Sequence, residues 1–217
     1  MAGVGIFGGT FDPIHLGHLR AAEEVRETQA LDEMRLVPAA VPPHKQGRTL
    51  TSGEHRRRMV ELAVAGVPGF RVSTLELERS GPSYTIDTLR ALRAELDSET
   101  RLVFVLGYDA FRDFHTWRDH AAIFGMCDVV VVTRPPSAAV LTLADIPAAA
   151  QESFSSGSEP ASFRHASGHV LCLQRIAGLD ISAADIRARV AAGRSIRFLV
   201  PAAVESYIGA HRLYRAG

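Results

Sequence analysis

A glycine-rich stretch with two histidines, close to the start of the chain, carries the residue types best suited to chemistry. It contains the pair Gly8-Gly9, then His15 and His18, and it follows an apolar run at 4–7. Glycines between a strand and a helix let the backbone approach a phosphate closely, and a helix start offers unpaired N–H groups and a positive dipole end. Histidines three residues apart share one face of a helical turn. The stretch therefore predicts an anion-binding site.

The histidine pair has competing interpretations. Zinc ligation favours a spacing of four residues or a Cys or Glu partner, and neither accompanies His15 and His18. Each histidine alone would be unremarkable as a packing or capping residue. Two imidazoles beside a glycine-rich turn favour a different role, which is to stabilise the charge that develops on a phosphate during transfer. Because phosphoryl and nucleotidyl transfer need positioned donors more than a protein nucleophile, this reaction class is predicted.

Further candidates lie along the chain, each with an alternative structural role. Lys45 follows Pro42-Pro43, whose fixed φ angles hold the backbone extended, so we expect a rigid loop to present it. Trp117, the only tryptophan, fits core packing as well as ligand contact. Three charged residues stay open between ligand binding (Mg²⁺ or hydroxyls for the two acids, phosphate for the arginine) and local structure: Asp12, Asp109 and Arg187.

Apolar periodicity indicates strands that alternate with helices, which predicts an α/β fold: a Rossmann-like, doubly wound parallel sheet with a small C-terminal helical portion. Strands are expected at 4–7, 34–37, 70–77, 101–106, 127–133 and 170–173. Helices are expected at 16–29, after a Thr51–Glu54 capping box as far as 64, at 85–96, after Ser182 and at 203–213. Residues 137–168 predict no chemistry, and 153–162 has the composition of a mobile loop.

A doubly wound sheet binds ligands beyond the carboxyl ends of its strands. The candidates should meet at that edge because each follows a predicted strand: residues 8–18, His44, Lys45, Gly107, Asp109 and Arg134. The glycine spacing differs from the Gly-x-Gly-x-x-Gly of dinucleotide-binding folds, and no Walker A lysine follows. The expected site therefore does not fit a dinucleotide oxidoreductase.

The composition is that of an ordinary globular enzyme. The 217 residues suit one domain, with a core at 1–180 and a helical part at 181–217. Basic and acidic residues balance at 24 each, so no overall field favours nucleic acid or a membrane. Neither a signal peptide nor an apolar span is evident, and Cys127 and Cys172 are expected to be buried thiols in a reducing compartment. We expect a cytoplasmic protein, with a homo-oligomer left open.

The motif GGTFDPIHLGH at 8–18 resembles the signature of the adenylyltransferase branch of the nucleotidylyltransferase superfamily. The segment ISAADIR at 181–187 resembles the second phosphate-binding motif of that superfamily. Intervening segments narrow the resemblance to bacterial nicotinate-nucleotide adenylyltransferases: PPHK at 42–45, GPSYTIDTL at 81–89, GYD at 107–109, TW at 116–117 and RP at 134–135. The match runs in order from residue 4 to about 208, with 137–168 unspecified.

This resemblance implies transfer of the adenylyl group of ATP to nicotinate mononucleotide, giving deamido-NAD and pyrophosphate. Mg²⁺ would accompany the ATP phosphates, with no protein side chain assigned to it. His15 and His18 would be the catalytic residues. The implied ATP-binding set is Gly8, Gly9, Thr10, Phe11, His15, His18, Gly107, Ile181, Ser182 and Arg187. The implied mononucleotide-binding set is Lys45, Thr85, Asp109, Trp117 and Arg134, with Trp117 stacking on the nicotinate ring.

The choice between acid and amide substrates is less defined. Arg118 follows Trp117, and its charge would suit a carboxylate nearby. The same chemistry on nicotinamide mononucleotide stays open as an alternative. A nucleotide-sensing module that binds without turnover is the alternative of a different class, and the intact His15 and His18 argue against it.

Overall fold

The fold is built on one sheet. The computed structural model describes residues 2–40, 50–134, 139–159 and 161–215. Within these ranges the strands are β1 (Gly3–Gly9), β2 (Glu33–Pro38), β3 (Phe70–Val72), β4 (Arg101–Gly107), β5 (Asp128–Thr133), β6 (Phe154–Ser156), β7 (Ser162–His165) and β8 (Val170–Arg175). They lie in the order β3-β2-β1-β4-β5-β8-β7-β6.

Six neighbouring strands of this sheet are parallel, in the spatial order β3-β2-β1-β4-β5-β8. Strands β7 and β6 add an antiparallel edge beside β8. All six residues of β5 are buried, as expected for a strand covered on both faces. The chain runs outward from β1 to β3 and then returns to β4, so β1 and β4 flank the point where the winding reverses. The predicted doubly wound sheet is confirmed, with a mixed rather than wholly parallel edge.

Helices cover both faces of the sheet. In the described ranges they are α1 (Leu16–Thr28), α2 (Gly53–Val64), α3 (Leu75–Glu78), α4 (Thr85–Glu95), α5 (Tyr108–Arg112), α6 (His120–Ile123), α7 (Ala148–Gln151), α8 (Ala183–Ala191) and α9 (Ala202–Ala210). Ile186 of α8 and Val204 of α9 share a core cluster with Ala22 of α1. Leu89 of α4 and Phe111 of α5 belong to the other cluster. The C-terminal helices therefore share one hydrophobic core with α1, and α9 packs against α2.

The strand expected at 70–77 is wrong beyond Val72. Ser73 still donates its N–H to the Leu36 carbonyl (2.9 Å), but the chain then turns into the short helix α3. The apolar Leu75 and Leu77 continue the alternation that suggested a strand, but in this helical turn both are half-buried and Glu76 between them is buried. A periodicity of two over so few residues does not distinguish the two structures.

The cap of α2 also differs from the prediction. Ser52, not Thr51, accepts from the N–H of His55, at 3.3 Å. The N–H of Thr51 donates instead to the carboxylate of Asp12, at 3.3 Å. A contact distant in sequence therefore moves the helix start by one residue.

The loop expected at 153–162 contains strand β6 and the first residue of β7. Phe154 pairs with His165, and Ser156 pairs with Phe163. Small polar residues form strands here because β7 pairs with the edge of β8 and β6 pairs with β7. The local sequence has no apolar pattern that would predict these strands. The two cysteines are free thiols, with Cys127 buried and Cys172 half-buried. No helix in the described ranges is long and apolar enough to cross a membrane.

Candidate active site

The first loop begins where β1 ends and packs an aromatic ring against its own glycines. Phe11 has a φ of 48°, in the left-handed region. A Cβ on Gly9 would lie 2.8 Å from the Phe11 ring, whereas a Cβ on Gly8 would meet no described atom within 4 Å. Gly9 is therefore required by the close approach of Phe11, while the backbone at Gly8 borders open space.

His15 and His18 form a reciprocal cap at the start of α1. The N–H of His18 donates to Nδ1 of His15, and the N–H of His15 donates to Nδ1 of His18, each at 3.3 Å. The rings stack with centroids 3.6 Å apart, and Phe11 packs edge-on against His18. Because Nδ1 is the acceptor in both rings, each neutral imidazole carries its proton on Nε2. The cap therefore sets the tautomer of both histidines.

Burial keeps His15 uncharged. His15 is 5% exposed. Desolvation, with a further contribution from the charge of Arg134, lowers the pKa of His15 to about 4. At neutral pH this histidine is thus a hydrogen-bond donor through Nε2 rather than a cation.

Both histidines line a cleft beside α1, here called the histidine cleft. Residues from β1, α1, the ends of β4 and β5, and the start of α8 surround it. The predicted site residues that line it are His15, His18, Gly107, Asp109, Arg134, Ile181 and Ser182. Arg134 is held at its wall because Nη1 donates to the Leu179 carbonyl at 2.6 Å.

Ser182 and Arg187 connect α8 to the first loop. Ser182 caps α8 by accepting from the N–H of Asp185 at 3.1 Å. Farther along the helix, Nη1 of Arg187 donates to the carbonyl of Asp12 at 2.6 Å. Ser182 lines the histidine cleft, whereas Arg187 lies beside the loop and outside the lining residues.

A second cavity of about 290 Å³ lies across the β1–β4 junction and is here called the aromatic cavity. Thr85, at the start of α4, and Trp117 line it together with Glu76 and Arg118. Trp117 also packs on Phe114, with ring centroids 5.1 Å apart. This half-buried tryptophan therefore takes part in core packing and forms a cavity wall at the same time.

The two cavities adjoin, since Phe7 and Gly107 line both of them. Gly8, Gly9 and Thr10 lie on the aromatic side of the junction. These three residues therefore lie beside the histidine cleft rather than in it, and Phe11, which is 2% exposed, lines neither cavity.

Two residues of the predicted mononucleotide-binding set do not line the same cavity as Thr85 and Trp117. Asp109 and Arg134 were expected beside the mononucleotide with Thr85 and Trp117, but they line the histidine cleft and not the aromatic cavity. Both follow strands that end at the same sheet edge, and sequence order alone does not say on which side of β4 a side chain falls. Lys45 and its neighbour His44 lie outside the described residues.

Asp12 holds the first loop from several directions. Asp12 is 4% exposed, and its Oδ1 accepts from the hydroxyl of Tyr214 at 2.7 Å. The other carboxylate oxygen of Asp12 accepts from the Thr51 N–H, and the backbone carbonyl of Asp12 accepts from the Arg187 guanidinium. Of the roles left open for Asp12, this geometry favours fixing the turn over binding a cation or a hydroxyl ligand.

Sequence reasoning missed Arg56, a fully buried side chain that joins three loops. Its guanidinium donates to the carbonyls of Thr10 (2.8 Å), Ala40 (3.0 Å), Thr51 (2.9 Å) and Ala39 (2.5 Å). A signal was present, because Arg56 shares the apolar stripe of α2 with Met59, Val60 and Ala63. The run of three arginines at 56–58 concealed it.

Comparison with known proteins places this architecture among nucleotidyl-transferring enzymes. A family profile described as cytidylyltransferase-like matches residues 6–189. A relative from Geobacter sp. (strain M21), named "Probable nicotinate-nucleotide adenylyltransferase", is 47% identical over 212 residues, covering 97% of both chains. A relative of the same name from Pseudomonas aeruginosa (strain PAO1) is 45% identical over 215 residues, covering 98% of this chain and 97% of its own.

A solved structure shares the fold. Plasmodium falciparum nicotinic acid mononucleotide adenylyltransferase complexed with NaAD superposes with a TM-score of 0.72 at 18% identity. The superposition covers 99% of this chain and 98% of that chain. The fold of this chain is therefore present, over nearly its full length, in a protein of low sequence identity.

Proposed function

This chain belongs to the nicotinate-nucleotide adenylyltransferases, within the cytidylyltransferase-like family, and on that premise we propose that it transfers the adenylyl group of ATP to nicotinate mononucleotide. The products are deamido-NAD and pyrophosphate, and the reaction is a step of NAD biosynthesis. An oxygen of the mononucleotide 5′-phosphate forms the new bond to the α-phosphorus. The bond from that phosphorus to the bridging oxygen breaks, and pyrophosphate leaves with the electron pair.

The observation that carries the proposal is the junction of the two cavities at Phe7 and Gly107. One side offers imidazole donors suited to phosphates, and the other offers an aromatic wall suited to a planar ring. A two-substrate transfer needs the reacting phosphates to meet at such a boundary.

On the ATP side, the Nε2–H groups of His15 and His18 would donate to the phosphates. Their effect grows as negative charge develops on the leaving pyrophosphate, which is how positioned donors lower a barrier. Ser182 and Ile181 line the same cleft, and Arg134 would add a cation there. Arg187 would contribute its charge from the edge of the first loop. The backbone of Gly8 to Thr10 would border the α-phosphate at the junction.

On the mononucleotide side, Trp117 would stack on the nicotinate ring, and Thr85 would contact the ring at the start of α4. Arg118 also lines this cavity, with its guanidinium 4.9 Å from the centroid of Tyr84 and 3.6 Å from the carboxylate of Asp87. Its charge at the cavity edge favours the acid over the amide. Lys45 keeps its proposed place on this side from the resemblance alone.

Mg²⁺ is proposed to enter with the ATP phosphates. This ion retains several waters and is commonly held by substrate phosphates with one or two carboxylates. Asp109 and Asp180 are carboxylates that line the histidine cleft and could face the hydrated ion. When bound, it would neutralise phosphate charge during transfer. A cytoplasmic location completes the proposal, in agreement with the free state of both thiols.

A paired assay tests the proposal. Pyrophosphate release with ATP is measured on nicotinate mononucleotide and on nicotinamide mononucleotide at matched concentrations. We expect a higher kcat/KM with the acid, by about tenfold or more for one well-placed charge. Equal or faster turnover of the amide would replace the proposed substrate. ATP binding without product from either would indicate a sensing module.

A further inference from the structure

The aromatic cavity has a buried carboxylate in its wall. Glu76 of α3 is 8% exposed and lines the cavity together with Ser83 and Thr88. Its Oε1 accepts from the hydroxyl of Thr88 at 2.8 Å. None of the roles assigned to His15, Trp117 or their neighbours uses this group.

A carboxylate in such a place is costly unless something offsets its charge. Burial raises the pKa of Glu76, because desolvation penalises the charged form more than hydrogen bonds and the Arg79 guanidinium favour it. A carboxylate can accept about four hydrogen bonds, and hydroxyl groups supply only part of that capacity. A cationic occupant of the cavity would offset this penalty, because its charge would stabilise the ionised carboxylate.

The proposed substrate has that property. The ring nitrogen of a pyridine mononucleotide is bonded to ribose, so the ring is a pyridinium cation. This charge is common to the acid and the amide, whereas the carboxylate belongs to the acid alone. A flat cation stacked on Trp117 would also gain from the electron-rich face of the indole.

We propose that Glu76 is a binding residue that recognises the positive charge of the pyridinium ring. This inference rests on the proposed function, since it names what the aromatic cavity senses in that substrate. Glu76 would set affinity for the oxidised, cationic ring in either mononucleotide. Arg118, at the cavity edge, would distinguish acid from amide.

The test compares ligands that differ in ring charge. Dissociation constants are measured by calorimetry for nicotinamide mononucleotide and for its reduced dihydropyridine form, whose ring is uncharged. E76Q keeps an oxygen acceptor for Thr88 and removes the charge. We expect E76Q to weaken binding of the cationic form about tenfold and to change binding of the reduced form less than twofold. E78Q is the matched control, because Glu78 lies on the same helix but is exposed, and it should behave as wild type.

Equal losses for both ligands in E76Q would overturn the inference and assign Glu76 a structural role through Thr88. Unchanged binding of the cation would overturn it as well. Should E76Q not fold, E76D takes its place: it withdraws the carboxylate by one methylene and should weaken binding of the cationic form severalfold more than binding of the reduced form, and equal losses would again overturn the inference. Product formation by wild-type enzyme is measured first, so that failure of the proposed function is seen separately.

Discussion

At the scale of single residues, the two imidazole rings that cap α1 are also the ones proposed to act on the ATP phosphates. One nitrogen of each ring completes the cap of α1, which leaves the proton on the other nitrogen. A donor prepared in this way needs no reorganisation when charge develops on a phosphate. The stacking distance of 3.6 Å also ties the orientation of each ring to that of its neighbour.

Replacing His18 separates these two contributions. H18A should lower kcat by about 10²- to 10³-fold while the KM for ATP changes little, because the lost donor acts mainly on transition-state charge. H18N is the matched variant, since its side-chain oxygen can accept from the His15 N–H and preserve the cap. Steady-state kinetics and thermal unfolding are measured on both. A folded H18A with normal turnover would remove His18 from the catalytic assignment.

At the scale of elements, strand ends and helix starts carry the site. The first strand, its glycine loop and helix α1 were predictable because buried parallel strands have continuous apolar runs and α1 repeats apolar residues at helical spacing. Its histidine cap was not, since histidine is not a preferred cap residue. The helices after Tyr84 and Ser182 begin where the sequence predicts them. Structure that depends on a distant partner was not predictable. The edge pair β6–β7, the short helix α3 and the cap at Ser52 all belong to this class.

The cap of α1 should make stability depend on pH. The pKa of His15 lies at about 4 in the folded chain against an ordinary value of 6.5, so below pH 6.5 the unfolded chain binds a proton that the folded chain excludes. The free energy of unfolding should therefore decrease as the pH is lowered from 6.5 to about 4, by roughly 3 kcal/mol at most. Urea unfolding across this range measures the slope. H15N, which keeps a capping acceptor and does not titrate there, should show a shallower slope, and an identical slope would contradict the assignment.

At the scale of the whole molecule, the chain end reaches back to the first loop. Tyr214 donates to the carboxylate of Asp12, and Arg187 donates to the carbonyl of the same residue. Residues about 200 positions apart thus hold the turn that precedes His15. The contacts of Tyr214 and Arg187 with Asp12 are here called the closure. The sequence predicted the order of the motifs along the chain, but it did not predict the closure, because the contacts join residues that are far apart in the sequence. The same holds for Arg56, which joins the first loop to the loops after β2 and before α2.

Removal of this closure should affect both stability and substrate binding. Y214F leaves the buried Asp12 carboxylate without one donor, and we expect a loss of about 1–3 kcal/mol in unfolding free energy. Because the first loop and Arg187 lose a shared support, the KM for ATP should rise severalfold. Y207F removes a hydroxyl bonded to Nδ1 of His55 (2.9 Å) at the α2–α9 contact and serves as the control. It should lower stability with ATP kinetics unchanged, and an unchanged KM for ATP in Y214F would show that the closure is only structural.

The adjoining cavities share only Phe7 and Gly107 among the residues that line them in the described part of the chain. On the proposed assignment, substitutions at Trp117, Arg118 or Glu76 would therefore alter the ring that is accepted without touching the cleft proposed to hold the triphosphate. Divergent evolution could reuse such a division, retaining one half while the other drifts toward new acceptors. Directed evolution of adenylylating enzymes for synthetic mononucleotides could accordingly begin with libraries confined to the aromatic side.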